Sequence, residues 1–389
     1  MDDLWVLAQH HFSLGSYASA AFFCDKLVSL CGKAPEEMFD YVYFLAQCYY
    51  RLKEYPRVAH VLEKQGLTNY GLKGQVLAAQ AMLAAKNYHK CFRILQEQVL
   101  AQETDVHLLA LKHVCFAQAY EARESKQTAS EHYVQALQTD PTNIEAFQAL
   151  VKGQLLSAEA ELKLISSLTI PDSHVWLHQY YLSCIKTPSS PTPALSALED
   201  KQNSDILCVK AEQLFASQKV DQAYELASRV IRTDPYHLQA VPLHAACMVA
   251  LREVGELYNL SHNLVKDYAE SAVSWYAAGA YYYSIKKYDM ARKFFMKAQK
   301  LDKSYLPAWI AYGHTFAAQD LSDQAMSAYR IVARLFPGCH LANLYMGMEY
   351  LRTKNLKTAL LSFELAKSVT PNDPVVWNEI GVVHYKKQE

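Results

Sequence analysis

The chain has 389 residues, of which 51% are hydrophobic and 20% charged, and its formal net charge is −1. A nearly neutral chain without a polybasic run lacks the positive field that draws proteins to nucleic acid, so we expect no nucleic-acid partner. No stretch of about 18 apolar residues is available to span a bilayer, so we expect no membrane partner.

Few glycines and prolines occur in the chain, which predicts an all-α protein. There are 12 glycines and 13 prolines in 389 residues, too few for the many tight turns of a β-rich chain of this size.

The nine cysteines are an odd number and are scattered, as is typical of small buried hydrophobes in a reducing compartment. We therefore expect the protein in the nucleus and cytoplasm.

The first half of the chain is predicted to be a series of helix pairs. Ala8, Ala46, Ala79 and Ala117 stand at similar but unequal intervals, at positions where two helices would approach closely. The uneven spacing indicates that the pairs persist while their loops differ in length. We predict an N-terminal helical array over residues 1–185.

Residues 186–204 are predicted to form an exposed, flexible linker. Three prolines fall within six residues there, which forbids regular helix. Thr187, Ser190 and Thr192 each precede a proline, the pattern of a proline-directed kinase site, and phosphates would add close to two negative charges each. The alternative is an unmodified linker, since such dipeptides are common in loops.

A small residue recurs at a constant interval in the second half of the chain. It occupies Ala211, Ala245, Gly279, Gly313, Gly347 and Gly381. The interval of about 34 residues is that of the tetratricopeptide repeat (TPR), a pair of antiparallel helices that buries its apolar face by stacking on neighbours. Trp275, Trp309 and Trp377 hold the leading aromatic position of the repeat, where Asn343 is the exception. We predict a TPR α-solenoid, a right-handed superhelix of antiparallel helix pairs, with its regular array over residues 205–389.

The recurring glycines and tryptophans are predicted to serve packing between helices and between units. A small residue is needed where two helices approach most closely, while large aromatics fill the hollows between successive units. One glycine within a helix is a weak signal that costs about 1 kcal/mol relative to alanine. Recurrence at a fixed interval indicates a contact instead.

The first helices of the later units are predicted to line a concave groove for a peptide. The residues one, five and eight positions after the leading aromatic face inward in TPR units. The candidates are Tyr276, Tyr283, Ile310, His314, Leu344, Met348, Asn378 and Tyr385. A peptide would anchor its side chains among them, and His314, Asn378 and the tyrosine hydroxyls would supply hydrogen bonds. The alternative is that much of this lining packs within the superhelix.

The sequence predicts no catalytic residue, no cofactor site and no metal site. It contains no phosphate-binding glycine loop, nucleophile elbow or zinc-protease motif. His174 and His178 share one face of a predicted helix, but no cysteine or carboxylate accompanies them nearby. Cys339 and His340 are adjacent, so their side chains diverge, and nothing in the sequence orients the imidazole.

Several segments resemble one particular TPR family. They are Tyr17–Leu30, Phe44–Leu62, Asp234–Tyr268, Ser274–Ala298 and, most specifically, Pro307–Tyr350 with its AWIAYGH and GCHL sequences. The chain resembles the sixth-subunit family of the anaphase-promoting complex, or cyclosome, over nearly its whole length and in collinear order. The repeat alone is weak evidence, because TPR units serve many pathways. An unrelated TPR adaptor for chaperones or trafficking is therefore the alternative.

The resemblance implies a non-catalytic scaffold in a ubiquitin ligase that supports cell-cycle progression. It implies homodimerisation through N-terminal repeats, a small accessory subunit held in the C-terminal groove, and contacts with other TPR subunits of the cyclosome. Family members continue beyond the equivalent of Pro374–Glu389, where this chain has only a first helix. We expect a shortened form or a groove that lacks its C-terminal part.

Overall fold

The computed structural model describes residues 2–30, 35–64, 66, 71–97, 105–171, 174–185, 203–371 and 373–387. These residues form 22 helices and no strand. The predicted all-α TPR solenoid is thereby confirmed. The chain divides into two compact units, residues 1–147 and 148–389.

The N-terminal unit is a succession of helix pairs in which each helix packs on the next. Its helices are α1 (Asp2–Ser13), α2 (Tyr17–Leu30), α3 (Pro35–Arg51), α4 (Tyr55–Lys64), α5 (Gly71–Ala84), α6 (Tyr88–Gln96), α7 (Val106–Ala122) and α8 (Lys126–Thr139). The unit ends within α9 (Ile144–Lys152). Ala8, Ala46, Ala79 and Ala117 are fully buried. One continuous core joins α1 to α7.

The second unit begins with two shorter helices and continues as a regular array. Its helices are α10 (Ala158–Ser167), α11 (Val175–Cys184), α12 (Ser204–Ala216), α13 (Val220–Thr233), α14 (Val241–Leu251), α15 (Val254–Asp267), α16 (Ala272–Ser284), α17 (Tyr288–Leu301), α18 (Leu306–Ala317), α19 (Ser322–Leu335), α20 (His340–Arg352), α21 (Leu356–Val369) and α22 (Pro374–Lys387). From α12 onward, even-numbered helices open a TPR unit and odd-numbered helices close it.

The predicted linker at 186–204 lies almost entirely outside the described residues, which resume at Asn203. The predicted phosphorylation sites Thr187, Ser190 and Thr192 lie outside them too. The division of the chain into arrays 1–185 and 205–389 therefore stays a prediction, and so does phosphorylation.

Three of the recurring glycines lie against aromatic rings of the helix that closes the same unit. A Cβ added to each glycine would come within 2.3–2.5 Å of a ring carbon on that helix. The pairs are Gly279 with Phe295, Gly313 with Tyr329, and Gly347 with Phe363. Such a distance is shorter than any real carbon–carbon contact, so the backbone of the first helix lies directly on the ring.

The fourth glycine, Gly381, has no such neighbour. A Cβ added there would meet nothing within 4 Å, because no described helix closes its unit. In two earlier units the small residue is alanine, and the residue that replaces the ring is also small: Ala227 follows Ala211, and Ser261 follows Ala245. The N-terminal unit differs. Tyr133 follows Ala117 by the same number of residues as Phe295 follows Gly279, so an alanine and a large ring occur together there.

Three tryptophans each form a hydrogen bond with the loop that precedes their unit. The indole N–H donates to the backbone carbonyl six residues earlier in all three cases. The bonds are Trp275 to Ala269 at 2.6 Å, Trp309 to Lys303 at 3.0 Å, and Trp377 to Pro371 at 2.8 Å. Asn343 replaces tryptophan in the remaining unit.

The turn inside each unit carries a left-handed residue that is not glycine. These residues recur once per repeat with φ between 60° and 64°, and they are Gln218, Arg252, Lys286, Asp320 and Lys354. The left-handed conformation costs a non-glycine residue roughly 1–2 kcal/mol. The periodic pattern of small residues did not identify this turn, because no glycine marks it.

A loop contact joins segments far apart in the sequence of the second unit. The Gly338 N–H donates to the Gln154 carbonyl at 2.8 Å. A Cβ on Gly338 would lie 2.0 Å from the Leu156 carbonyl oxygen. Only glycine allows the two backbones this close approach, which gives a physical reason for the glycine of the GCHL sequence.

Replacing Gly313 with alanine is expected to destabilise the second unit by roughly 1–3 kcal/mol, because the new methyl group would overlap the Tyr329 ring. Gly381→Ala is the matched control. It adds a methyl group to a helix in open space and should leave stability unchanged or raise it by up to about 1 kcal/mol. Thermal and denaturant unfolding of the two variants would test the difference, and equal effects would contradict the assigned contact.

Candidate peptide-binding groove

The first helices of the second unit lie side by side as one layer. Helices α14 and α16, α16 and α18, and α20 and α22 contact each other, and each closing helix packs between the first helices on either side of it. The candidate groove residues lie on α16, α18, α20 and α22. The array thus brings together side chains that are far apart in the sequence, on the layer of first helices.

Two candidate groove residues are buried in the core. Tyr276 is 8% exposed and packs on the rings of Phe295 and Tyr305, at centroid distances of 5.9 and 5.7 Å. Leu344 is 2% exposed and belongs to a cluster with Phe363. For these two residues the alternative interpretation holds, because their side chains pack within the solenoid. They expose almost no surface to a peptide.

The other candidates keep accessible surface. Tyr283, Ile310, His314 and Met348 are partly buried, which suits pockets for anchoring side chains. The final pair lies on α22, where Asn378 is exposed and Tyr385 is 84% exposed. Their role in peptide binding stays a prediction.

His314 sits in a tyrosine cluster that fixes its ring. Its Nδ1 and the Tyr329 hydroxyl share a hydrogen bond of 2.8 Å. The Tyr345 ring meets the imidazole edge-on, with centroids 4.4 Å apart. Burial lowers the pKa of His314 to about 4 and raises the pKa of Tyr345 to about 12. At physiological pH this part of the groove is therefore polar but uncharged.

Tyr305, which packs on Tyr276, is a polar residue that sequence reasoning missed. Its hydroxyl is buried and has no hydrogen-bond partner among the described residues. Burial, followed by the nearby Tyr276, raises the pKa of Tyr305 well above its ordinary value. No periodic signal marks it, because Ser271 and Cys339 hold the same position in the flanking units.

The residues considered for chemistry have structural surroundings. His174 is exposed just before α11, and His178 lies within that helix. Cys339 is buried, while His340 Nε2 donates to the Asp373 carboxylate at 2.7 Å. The expectation that nothing orients the His340 imidazole was therefore wrong. Burial alone would raise the pKa of Asp373, but hydrogen bonds from His340 and the Val375 N–H outweigh it and lower the pKa.

Metal-ligating clusters and membrane-spanning helices do not occur among the described residues. No group of three or more His, Cys, Asp or Glu side chains in those ranges is arranged to hold a metal ion. Within the same ranges, every helix is too short or too polar to cross a membrane.

Two family models match parts of the chain. Residues 13–98 match the model described as anaphase-promoting complex, cyclosome, subunit 3. Residues 272–305 match a tetratricopeptide repeat model, in the middle of the regular array.

Curated relatives match nearly the whole chain. Anaphase-promoting complex subunit 6 of Arabidopsis thaliana is 35% identical over 96% of this chain and 75% of its own length. The Homo sapiens cell division cycle protein 16 homolog is 34% identical over 96% of the chain and 64% of its own length. Subunit cut9 of Schizosaccharomyces pombe is 31% identical over 96% and 58%. The chain thus spans about 58–75% of these relatives.

One solved structure has the same fold over nearly the whole chain. The crystal structure of the APC/C hetero-tetramer Cut9-Hcn1 matches with a TM-score of 0.86 and 30% identity. The match covers 99% of this chain and 76% of the solved one.

Replacing His314 with glutamine is expected to reduce the acid sensitivity of the second unit. Because the folded-state pKa of His314 is about 4 and its ordinary value is 6.5, the unfolded chain binds the proton first as the pH falls. His314 therefore contributes stability that is complete above pH 6.5 and is lost progressively down to pH 4.

The measurement is the thermal midpoint at about pH 7 and about pH 5. The midpoint of the wild type should fall more than that of His314→Gln. His262→Gln is the control, since it changes an exposed imidazole on α15. Equal pH dependence of the wild type and His314→Gln would contradict the burial of the neutral ring.

Proposed function

The chain belongs to the anaphase-promoting complex subunit 6 family, and from this premise we propose that it is a non-catalytic TPR scaffold of that ubiquitin ligase. The carrying observation is the agreement in fold and sequence with family members over nearly the entire chain. A solenoid offers extended surface to partners, because each unit contacts chiefly its neighbours and leaves its outer faces free. We further propose that the protein acts in the nucleus and cytoplasm to support cell-cycle progression.

Homodimerisation through the N-terminal repeats is part of the proposal. Five large apolar side chains of the α1–α2 pair are 41–66% exposed, namely Val6, Leu7, Leu14, Phe22 and Leu30. Exposed apolar patches commonly mark interfaces, and a two-fold dimer would cover the same patch on both chains. The solved Cut9-Hcn1 hetero-tetramer adds support, since four chains with two names include at least one chain more than once.

A small accessory subunit of the Hcn1 kind is the proposed ligand of the groove. The partly buried surface of Tyr283, Ile310 and Met348 would take apolar side chains of its segment. His314 is uncharged there, so a neutral or apolar segment fits this region better than an acidic tail. Other TPR subunits of the cyclosome are the further proposed partners.

The alternative is a TPR adaptor of another complex. Affinity purification of the tagged chain from its own cells, followed by mass spectrometry, separates the two. Recovery of cyclosome subunits in stoichiometric amounts supports the proposal, whereas their absence beside abundant chaperone or trafficking components supports the alternative.

Phe22→Glu is expected to convert a dimer of the chain into a monomer. A carboxylate on both copies of a self-complementary patch places like charges together in a desolvated interface. Light scattering after size exclusion would report the mass. Tyr236→Glu changes an equally exposed aromatic in the second unit and should leave the dimer intact. A wild-type monomer, or a dimeric Phe22→Glu, would refute this interface.

Met348→Glu is expected to weaken capture of the accessory subunit by about tenfold or more without changing the dimer, because it puts a charge beside the apolar cluster on which Met348 packs. The chain would be co-expressed with the Hcn1-type subunit of its own organism, and the recovered ratio measured. Met296→Glu alters an exposed methionine on the closing helix α17 and serves as the control. Equal capture by both variants would place the subunit elsewhere.

A further inference from the structure

A cavity that is open to solvent and lined by both polar and apolar side chains lies between the consecutive helices α13, α14 and α15. Its volume is 280 Å³. None of its lining residues is a candidate groove residue, since those begin on α16. This volume has room for several waters at roughly 30 Å³ each, yet it is smaller than the pockets of roughly 300–1,000 Å³ that take drug-sized ligands. Its size suits a single side chain.

His244 lines the cavity without a hydrogen-bond partner. The residue is 6% exposed, and its Nδ1 is sealed from solvent with no partner among the described residues. Its ring stacks on Tyr224, with centroids 5.3 Å apart and planes 13° apart. Repeat packing does not require an imidazole here, because the same position carries Ala278, Tyr312 and Met346 in later units.

The surroundings of His244 determine where its proton lies. Burial lowers the pKa of His244 to about 4, so the ring is neutral at physiological pH. A buried N–H without a partner is rarer in proteins than a buried lone pair without one. The proton therefore belongs on Nε2, which is not among the sealed atoms, and from that nitrogen His244 can donate to a ligand in the cavity that it lines.

The remaining lining is balanced in charge. Arg232 and Glu256 contribute one charge of each sign, and Glu256 accepts a hydrogen bond of 2.5 Å from the Tyr224 hydroxyl. Asn259 adds an amide, while Ile231 and Leu260 are apolar. A carboxylate ligand would face Glu256, and an ammonium ligand would face Arg232. A neutral carboxamide has an acceptor for His244 and Arg232 and a donor for Glu256.

We propose that this cavity binds the carboxamide side chain of an asparagine or glutamine from a polypeptide partner, with His244 as hydrogen-bond donor. The methylene stem of that side chain would lie against Ile231 and Leu260. The site goes beyond the proposed function, because it is separate from the groove and from the N-terminal dimer patch.

The test is a titration of the full chain, labelled at its histidines, by NMR. The probes are N-acetyl-glutamine methylamide, its glutamate and leucine analogues, and free acetamide. The glutamine probe should shift the His244 signal saturably, and its own proton signals should broaden, which is the readout for a variant that lacks His244. The glutamate and leucine probes should bind at least about tenfold more weakly, because a site built from hydrogen-bonding groups rejects ligands that leave them unpaired. Acetamide should also bind more weakly, since it lacks the stem.

Three variants accompany the titration. His244→Phe keeps the ring stack on Tyr224 but removes the donor, and Asn259→Leu changes an exposed lining residue without entering the core. Both should weaken the glutamine probe. His262→Phe alters an exposed histidine outside the cavity and should bind as the wild type does. No binding, equal binding of all probes, or undiminished binding to His244→Phe would overturn the proposal, and none of these results would bear on dimerisation or the groove.

Discussion

The close approach between a first helix and the aromatic ring of the helix that closes its unit is the contact on which the second unit depends. Where Gly279, Gly313 and Gly347 stand, the backbone itself is the surface that the ring touches. The closing helix is thereby set close to its partner in every such unit, and the next unit stacks on an equivalent surface. Small residues replace the rings where alanine replaces glycine, at Ala227 and Ser261.

The period of the small residues was sufficient to predict the helix pairs, because one packing requirement repeats with the unit. It also placed Gly381 in a unit for which the sequence has only a first helix, and the described residues show no contact there. It could not identify the left-handed turn at Lys286 and its equivalents, because lysine, arginine and aspartate occupy a conformation for which glycine is the usual signal.

The candidate groove was predicted in part. The position of each residue within the repeat placed the candidates on the layer of first helices. That position does not determine how deeply a side chain is buried, and Tyr276 and Leu344 lie in the core. Tyr305 was missed because it lies outside the inward-facing register, in the loop before α18. His244 was missed for a different reason. The 34-residue period identified Ala245 as the packing residue, but it said nothing about the adjacent His244. The buried, unpartnered nitrogen of His244 is visible only in the structure.

The contact of Gly338 with the loop at 154–156 changes how the second unit should unfold. Solenoids that have only nearest-neighbour contacts lose structure stepwise, one repeat after another from an end. This contact joins the loop between α9 and α10 to the loop between α19 and α20, so we expect the shorter helices α10 and α11 to unfold in the same cooperative block as α19 and α20. A linear array with such a closure behaves in folding more like a globular domain, and forming it requires slow, long-range loop closure.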